Sequence, residues 1–125
     1  MKVLIADDDP VITHLIRAGL RAKGWAVEVA ADAMQTVMFA MRAQPDVIVL
    51  DINMPGGTGI TALRRLKASM ITKFIPIVVL SGSTDPSAPA TVQSLGAESF
   101  LPKPVDIDEL DAALRKLLQV PAEGE

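Results

Sequence analysis

Apolar positions recur along this chain with two alternating periods. Short runs rich in Val and Ile stand at Val3 to Ala6, Val27 to Ala30, Val47 to Leu50, Ile77 to Leu80 and Ser99 to Leu101. Turn residues bound each run, which predicts strands. Three of them (VLIA, VIVL and IVVL) are apolar throughout, the pattern of strands covered on both faces in a parallel sheet. Between the runs lie segments of helical spacing. Residues 11–23 place Ile12, Leu15, Ile16 and Leu20 on one inner face, and Gly24 stops the pattern. Residues 33–43 carry Met34, Val37, Met38 and Met41, read as core packing because Met fills irregular gaps. Residues 59–68 carry Ile60, Leu63 and Leu66, and residues 107–118 carry Ile107, Leu110, Leu114, Leu117 and Leu118. A short helix is expected over 88–95, with Val92 and Leu95 inward.

A strand followed by a helix, five times over, implies an α/β fold with an open parallel sheet and helices on both faces. A common order for such a five-stranded, doubly wound, flavodoxin-like (βα)5 sheet is 2-1-3-4-5. In that order ligands bind outside the carboxyl ends of strands one and three. The expected division is one domain over 1–119 and a flexible tail over 120–125.

That topology gathers the unusual polar residues. Asp7 and Asp8 follow the first strand, Asp51 ends the third, Ser81 ends the fourth and Lys103 follows the fifth. A buried charge needs a partner. Three carboxylates at close quarters repel unless a cation joins them. Hard oxygen donors without His or Cys favour Mg²⁺, Mn²⁺ or Ca²⁺ over Zn²⁺, and an open site with a phosphate suits Mg²⁺. A lysine beside the same carboxylates completes a clamp for a transferring phosphoryl group. A carboxylate is itself a nucleophile able to become an aspartyl phosphate. After Asp51 comes "GGTG", whose glycines let backbone approach a metal and phosphate closely, with Thr58 placed to cap the next helix.

Composition narrows the field. Half of the 125 residues are hydrophobic, 22% are charged and the net charge is -3. That balance suits a globular domain and gives no support for nucleic-acid binding. There are no cysteines, hence no disulfide frame. No opening run is long enough for a signal peptide or membrane span, so a cytoplasmic protein is expected.

Four segments carry a resemblance: "VLIADDDP", "PDVIVLDINMPGGTG", "IVVLSG" and "SFLPKP". Together, in this order and each ending a strand, they resemble the receiver domain of two-component response regulators, similar to the stand-alone chemotaxis type. The resemblance covers residues 2 to 118. It implies that Asp51 is the phosphoacceptor. It implies that Asp7, Asp8, Asp51 and the backbone carbonyl of Asn53 hold Mg²⁺. Lys103 then pairs with the phosphate, Ser81 is the switch hydroxyl and Phe100 the aromatic switch residue. It further implies a histidine kinase or phosphotransfer protein as phosphoryl donor. Thr58 departs from the family's frequent acidic residue, and Gly82 from its commoner alanine. A phosphatase of the dehalogenase type is the rival reading, but Asn53 stands where that family needs a second acid. No phosphate-binding loop of the G-x-x-x-x-G-K-[ST] kind occurs.

Other residues receive plainer readings. Asp9 starts the first helix beside Pro10, His14 lies on that helix's outer face, and Trp25 covers a core edge. Phe39 falls off the methionine stripe. Asp106, Asp108, Glu109 and Asp111 favour the first turn of the last helix. Residues 86–97, "PSAPATVQSLGA", carry no charge. That stretch is better suited to meeting a protein than to pure solvation. It marks the helix 4–strand 5–helix 5 face for a downstream partner or self-association, with no nucleic acid and no membrane involved.

Overall fold

A computed structural model describes residues 1–54, 58–82 and 86–121, and only the backbone of residue 58. Its elements are β1 (Lys2–Ala6), α1 (Pro10–Ala22), β2 (Ala26–Ala30), α2 (Ala33–Ala43), β3 (Val47–Asp51), α3 (Thr58–Ala68), β4 (Ile77–Ser81), α4 (Ala88–Ser94), β5 (Ser99–Pro102) and α5 (Ile107–Leu118). The five strands form one parallel sheet in the order β2-β1-β3-β4-β5. Fold class and strand order are those expected.

Alternate residues of each central strand enter opposite cores, as the two-residue period of a strand requires. Leu4, Ile48, Leu50, Ile77 and Val79 join Ala40, Leu63, Leu66 and Val92 on one side. Val3, Ile5, Val47, Val49, Val78 and Leu80 join Ile16, Leu20, Leu110 and Leu114 on the other. β3 and β4 are buried along their whole length, which explains their unbroken apolar runs.

Polar side chains set the helix starts. Asp9 accepts from the amide of Val11 at 2.9 Å, Asp32 from Gln35 at 2.8 Å, and Asp106 from Glu109 at 3.1 Å. Gly24 follows α1 with a φ of 97°, a left-handed turn that favours glycine. His14 is exposed and Trp25 buried, as read from the sequence.

Three expectations fail. α2 does not bury its methionines: Met34, Met38 and Met41 are exposed, and Thr36 and Ala40 face the sheet instead. Small side chains let α2 sit close to its neighbours, and the Thr36 hydroxyl is satisfied by donating to the Asp32 carbonyl at 2.7 Å. Phe39 packs partly against the core and lies under Arg42, whose guanidinium carbon is 4.6 Å from the ring centre. Leu15 is 61% exposed rather than inward, next to the equally bare Val11. Asp111 is no dipole residue. It is buried, accepting from the Trp25 indole at 2.7 Å and from Arg115 at 2.9 Å.

Arg115 also donates to the carbonyls of Lys23 and Pro121, and the Val120 amide donates back to the Arg115 carbonyl. These bonds tie the first two residues of the expected tail to the domain. Residues 122–125 lie outside the described residues. Among the described residues, no helix is long and apolar enough to cross a membrane.

Candidate functional site

Strand register brings the site together. Ala6 pairs with Leu50, Asp51 with Leu80, and Ser81 with Pro102. Asp7, Asp51, Ser81 and Lys103 therefore stand at the same edge of the sheet, at the carboxyl ends of four strands.

Each group is held from its own backbone. The Asp7 amide donates to the Ala30 carbonyl at 3.1 Å, and its carboxylate accepts from the Asp9 amide at 2.9 Å. Asp51 accepts from the Asn53 amide at 3.0 Å as the chain turns out of β3. The Lys103 amide donates to the Ser81 carbonyl at 2.9 Å, docking the loop after β5 on the end of β4. From there the Lys103 ammonium reaches Asp51 at 3.0 Å and Asp7 at 3.4 Å. Ser81 is buried beside this group.

Asp7 and Asp51 are each only 3% exposed, whereas Asp8 is open to solvent. Burial pushes the Asp7 carboxyl above its ordinary value. The Asp9 amide opposes that rise, the charge of Asp51 adds to it, and Lys103 opposes it. For Lys103, burial pulls down, but the hydrogen bond and charge of Asp51, with those of Asp7, outweigh it. Its ammonium is held more firmly than usual.

One ammonium does not neutralise three carboxylates. Oxygens of Asp7, Asp8 and Asp51 all lie within 4.8 Å of one another. The donors are hard, two are buried and one faces water, which fits a divalent cation that keeps part of its hydration shell. The acidic trio expected from the sequence can hold a metal. Asn53 turns its amide to Asp51, and its side chain is exposed.

One hollow borders the site at Lys103. An apolar groove of about 560 Å³ runs between α1 and the loop after β5, lined by Ile12, Leu15, Ile16, Lys103, Pro104 and Ile107. Leu15 shares an apolar face of α1 with Ile16 and Leu20, yet it stands in this wall and not in the core. Apolar spacing alone does not separate a buried face from an exposed one at the rim of a sheet. A second hollow, of about 210 Å³, lies between α4 and β5, where half-buried Phe100 lines it with Pro89, Val92, Gln93 and Ala97. Gly56, Gly57 and the Thr58 side chain lie outside the described residues, so the capping expected of Thr58 does too.

Residues 3–115 match the family model of the response regulator receiver domain. The chain belongs to that family. It is 35% identical over 119 residues to the transcriptional regulatory protein TrcR of Mycobacterium tuberculosis, covering 95% of this chain and 46% of that protein. It superposes with a TM-score of 0.88 on a response regulator from Chloroflexus aurantiacus, at 30% identity, covering 94% of this chain and 97% of the other. It superposes with a TM-score of 0.86 on the receiver domain of a sensor histidine kinase from Pseudomonas aeruginosa, at 29% identity, covering 94% and 97%. That structure has a magnesium ion coordinated in its active-site cleft. The chain spans about half the length of the curated relatives it matches. As a receiver domain it is a signalling module, and its acidic cluster is consistent with phosphoacceptor function.

Proposed function

We propose that Asp51 takes a phosphoryl group from the phosphohistidine of a histidine kinase or phosphotransfer protein. One observation carries this reading: Lys103 bridges two buried carboxylates that lie, with Asp8, within 4.8 Å of one another. A cluster so short of positive charge is poised for a metal and a phosphate together. Asp7, Asp8, Asp51 and the Asn53 carbonyl would hold Mg²⁺. When bound, Mg²⁺ supplies the positive charge that the phosphoryl oxygens and the facing carboxylates require.

The chain's own residues do the rest. A carboxylate oxygen of Asp51 attacks phosphorus, so a P–O bond forms as the P–N bond of the donor breaks. The bonding pair stays on the donor's imidazole nitrogen. The Asn53 amide orients one Asp51 oxygen, and Lys103 pairs with the phosphoryl oxygens. The donor docks beside Lys103, where Val11 and Leu15 leave an apolar rim on α1. Ser81 and Phe100 then couple the new charge to the face made by α4, β5 and α5, which meets a downstream protein or a second copy. The unit that does this is the domain over 1–119, working in the cytoplasm without nucleic acid or membrane.

Intact mass after incubation with acetyl phosphate and Mg²⁺ tests the reading. One added phosphoryl group is expected in the wild type and none in Asp51→Asn. A single addition that persists in Asp51→Asn would move the acceptor elsewhere.

A further inference from the structure

Gly59, the second residue of α3, lies directly against the backbone that carries Asp51. A β-carbon built on it would fall 2.3 Å from the Asp51 carbonyl oxygen, 2.6 Å from the Ile52 α-carbon and 3.0 Å from the Ile52 carbonyl carbon. All three are backbone atoms, which no side-chain rotation can move aside. Gly59 does not have a positive φ, so it is not there for conformational freedom. The reason is space alone.

The contact is part of a clamp. The Gly59 amide donates to the Ile52 carbonyl at 3.3 Å, while the Ile52 amide donates to the Leu80 carbonyl of β4 at 3.0 Å. The peptide just after Asp51 is thus gripped by α3 on one side and β4 on the other. The same short stretch sets both oxygens of Asp51. One accepts from the Asn53 amide, and the other faces Lys103.

We infer that Gly59 is a positioning residue for Asp51: the first turn of α3 seats the acceptor's backbone at a distance only glycine allows. Any side chain at 59 must push the Asp51–Ile52 peptide away by several tenths of an ångström. Carboxylate groups that share a metal and a reacting phosphorus tolerate about 0.5 Å of error, and a misplacement of about 1 Å costs about 10²-fold in rate. The inference rests on Asp51 being the acceptor.

Gly59→Ala is compared with Gly96→Ala. Gly96 precedes β5 at the opposite edge of the sheet, has a φ of 105° and would bring a β-carbon to 3.0 Å from the Lys67 side chain. Its substitution strains the fold away from the site. Both variants are unfolded by heat, titrated with Mg²⁺ alone and phosphorylated with acetyl phosphate. Both are expected to melt earlier than the wild type. Only Gly59→Ala is expected to lose Mg²⁺ affinity several-fold and to slow phosphorylation by about 10–100-fold. A folded Gly59→Ala with wild-type Mg²⁺ affinity and rate would overturn the inference. So would a Gly59→Ala chain that fails to fold at all, because the contact would then serve the fold rather than the site. A wild type that acquires no Asp51-dependent phosphoryl group would instead defeat the acceptor reading itself.

Discussion

Lys103 Nζ stands 3.0 Å from an oxygen of Asp51, although β5 and β3 are separated in the sheet by β4. The reach is possible because the Lys103 amide is tied to the Ser81 carbonyl, which brings the loop back over the end of β4. The ammonium is a positive charge aimed at Asp51.

Lys103→Ala removes that charge and leaves Asp7 and Asp51 facing each other unpaired. Loss of one preorganised electrostatic group costs about 10²–10³-fold in rate. Phosphorylation by acetyl phosphate, followed by intact mass over time, is expected to slow by about that factor at saturating Mg²⁺. Lys103→Arg keeps the charge but not the compact ammonium, so only part of the rate should return. Wild-type rates in Lys103→Ala would remove the lysine from the chemistry.

Asp7 makes a separate prediction about pH. Its folded pKa is raised, chiefly by burial and then by Asp51, against the pull of the Asp9 amide and Lys103. The folded chain therefore binds that proton more tightly than the unfolded chain. Stability attributable to Asp7 falls as pH rises from its ordinary 3.8 through the raised value. Lys103 acts in another window. Its folded pKa is raised, so its contribution persists at neutral pH and is lost only as pH climbs past the ordinary 10.5 and through the raised value. Without metal at pH 7, Asp7→Asn should resist urea better than the wild type, and the gap should close as pH approaches 4. Added Mg²⁺ should reverse the order, since the wild type gains from binding and the variant gains less. A variant less stable than wild type without metal at neutral pH would contradict the burial argument.

The bond between Trp25 and Asp111 joins residues far apart in sequence, the turn before β2 and the middle of α5. Trp25→Phe keeps an aromatic ring in the core but leaves a buried carboxylate oxygen short of one donor. A loss of about 1–3 kcal/mol in urea unfolding is expected. Phosphorylation should be unchanged, because no residue of this network belongs to the site. A slowed reaction with intact stability would mean that the network serves the site after all.

This network also shows where the sequence ceased to be legible. The five strands were readable as short runs between turn residues, and the two-sided burial of β1, β3 and β4 wrote itself as unbroken hydrophobicity. The site was readable for a related reason. Asp7, Asp51, Ser81 and Lys103 each interrupt or follow such a run, and a parallel sheet delivers all such points to one edge. Asp111 carried no comparable mark. On paper it is one more acid near the start of an amphipathic helix, and its partner is remote in sequence. α2 misled in the opposite sense. Its methionines are exposed, and Thr36 and Ala40 are the residues fully buried. Leu15 sits on an apolar stripe whose upper end runs past the sheet's edge into the groove beside Lys103. Periodicity reports which residues share a face, not how far the neighbouring layer extends.

The coupling of site to surface is the remaining step. Ser81 ends β4 and is buried, and its backbone holds Lys103 in place. One strand over, Phe100 pairs with Val79 and lines the 210 Å³ hollow between α4 and β5. α4 itself is short, seven residues from Ala88 to Ser94, with no charged residue at either end. Its outward residues, among them Pro89, Ala90, Thr91 and Gln93, are uncharged and exposed. A helix this short is held by its packing rather than by its own hydrogen bonds. It is therefore the element most easily reset by a change beneath it. On the proposed reading, a phosphoryl group on Asp51 would draw the Ser81 hydroxyl toward its oxygens, and the room this leaves would let Phe100 sink against α4. Such a face would be a two-state element biased by a local charge. Beryllofluoride, which mimics the phosphoryl group, should therefore shift NMR signals across residues 86 to 104 in the wild type. In Ser81→Ala the mimic should still bind, with shifts confined to the neighbourhood of Asp7, Asp8 and Asp51. Long-range shifts that survive in Ser81→Ala would take the switch away from the hydroxyl. Shifts confined to the site in the wild type would mean that the domain binds its ligand without signalling through this face.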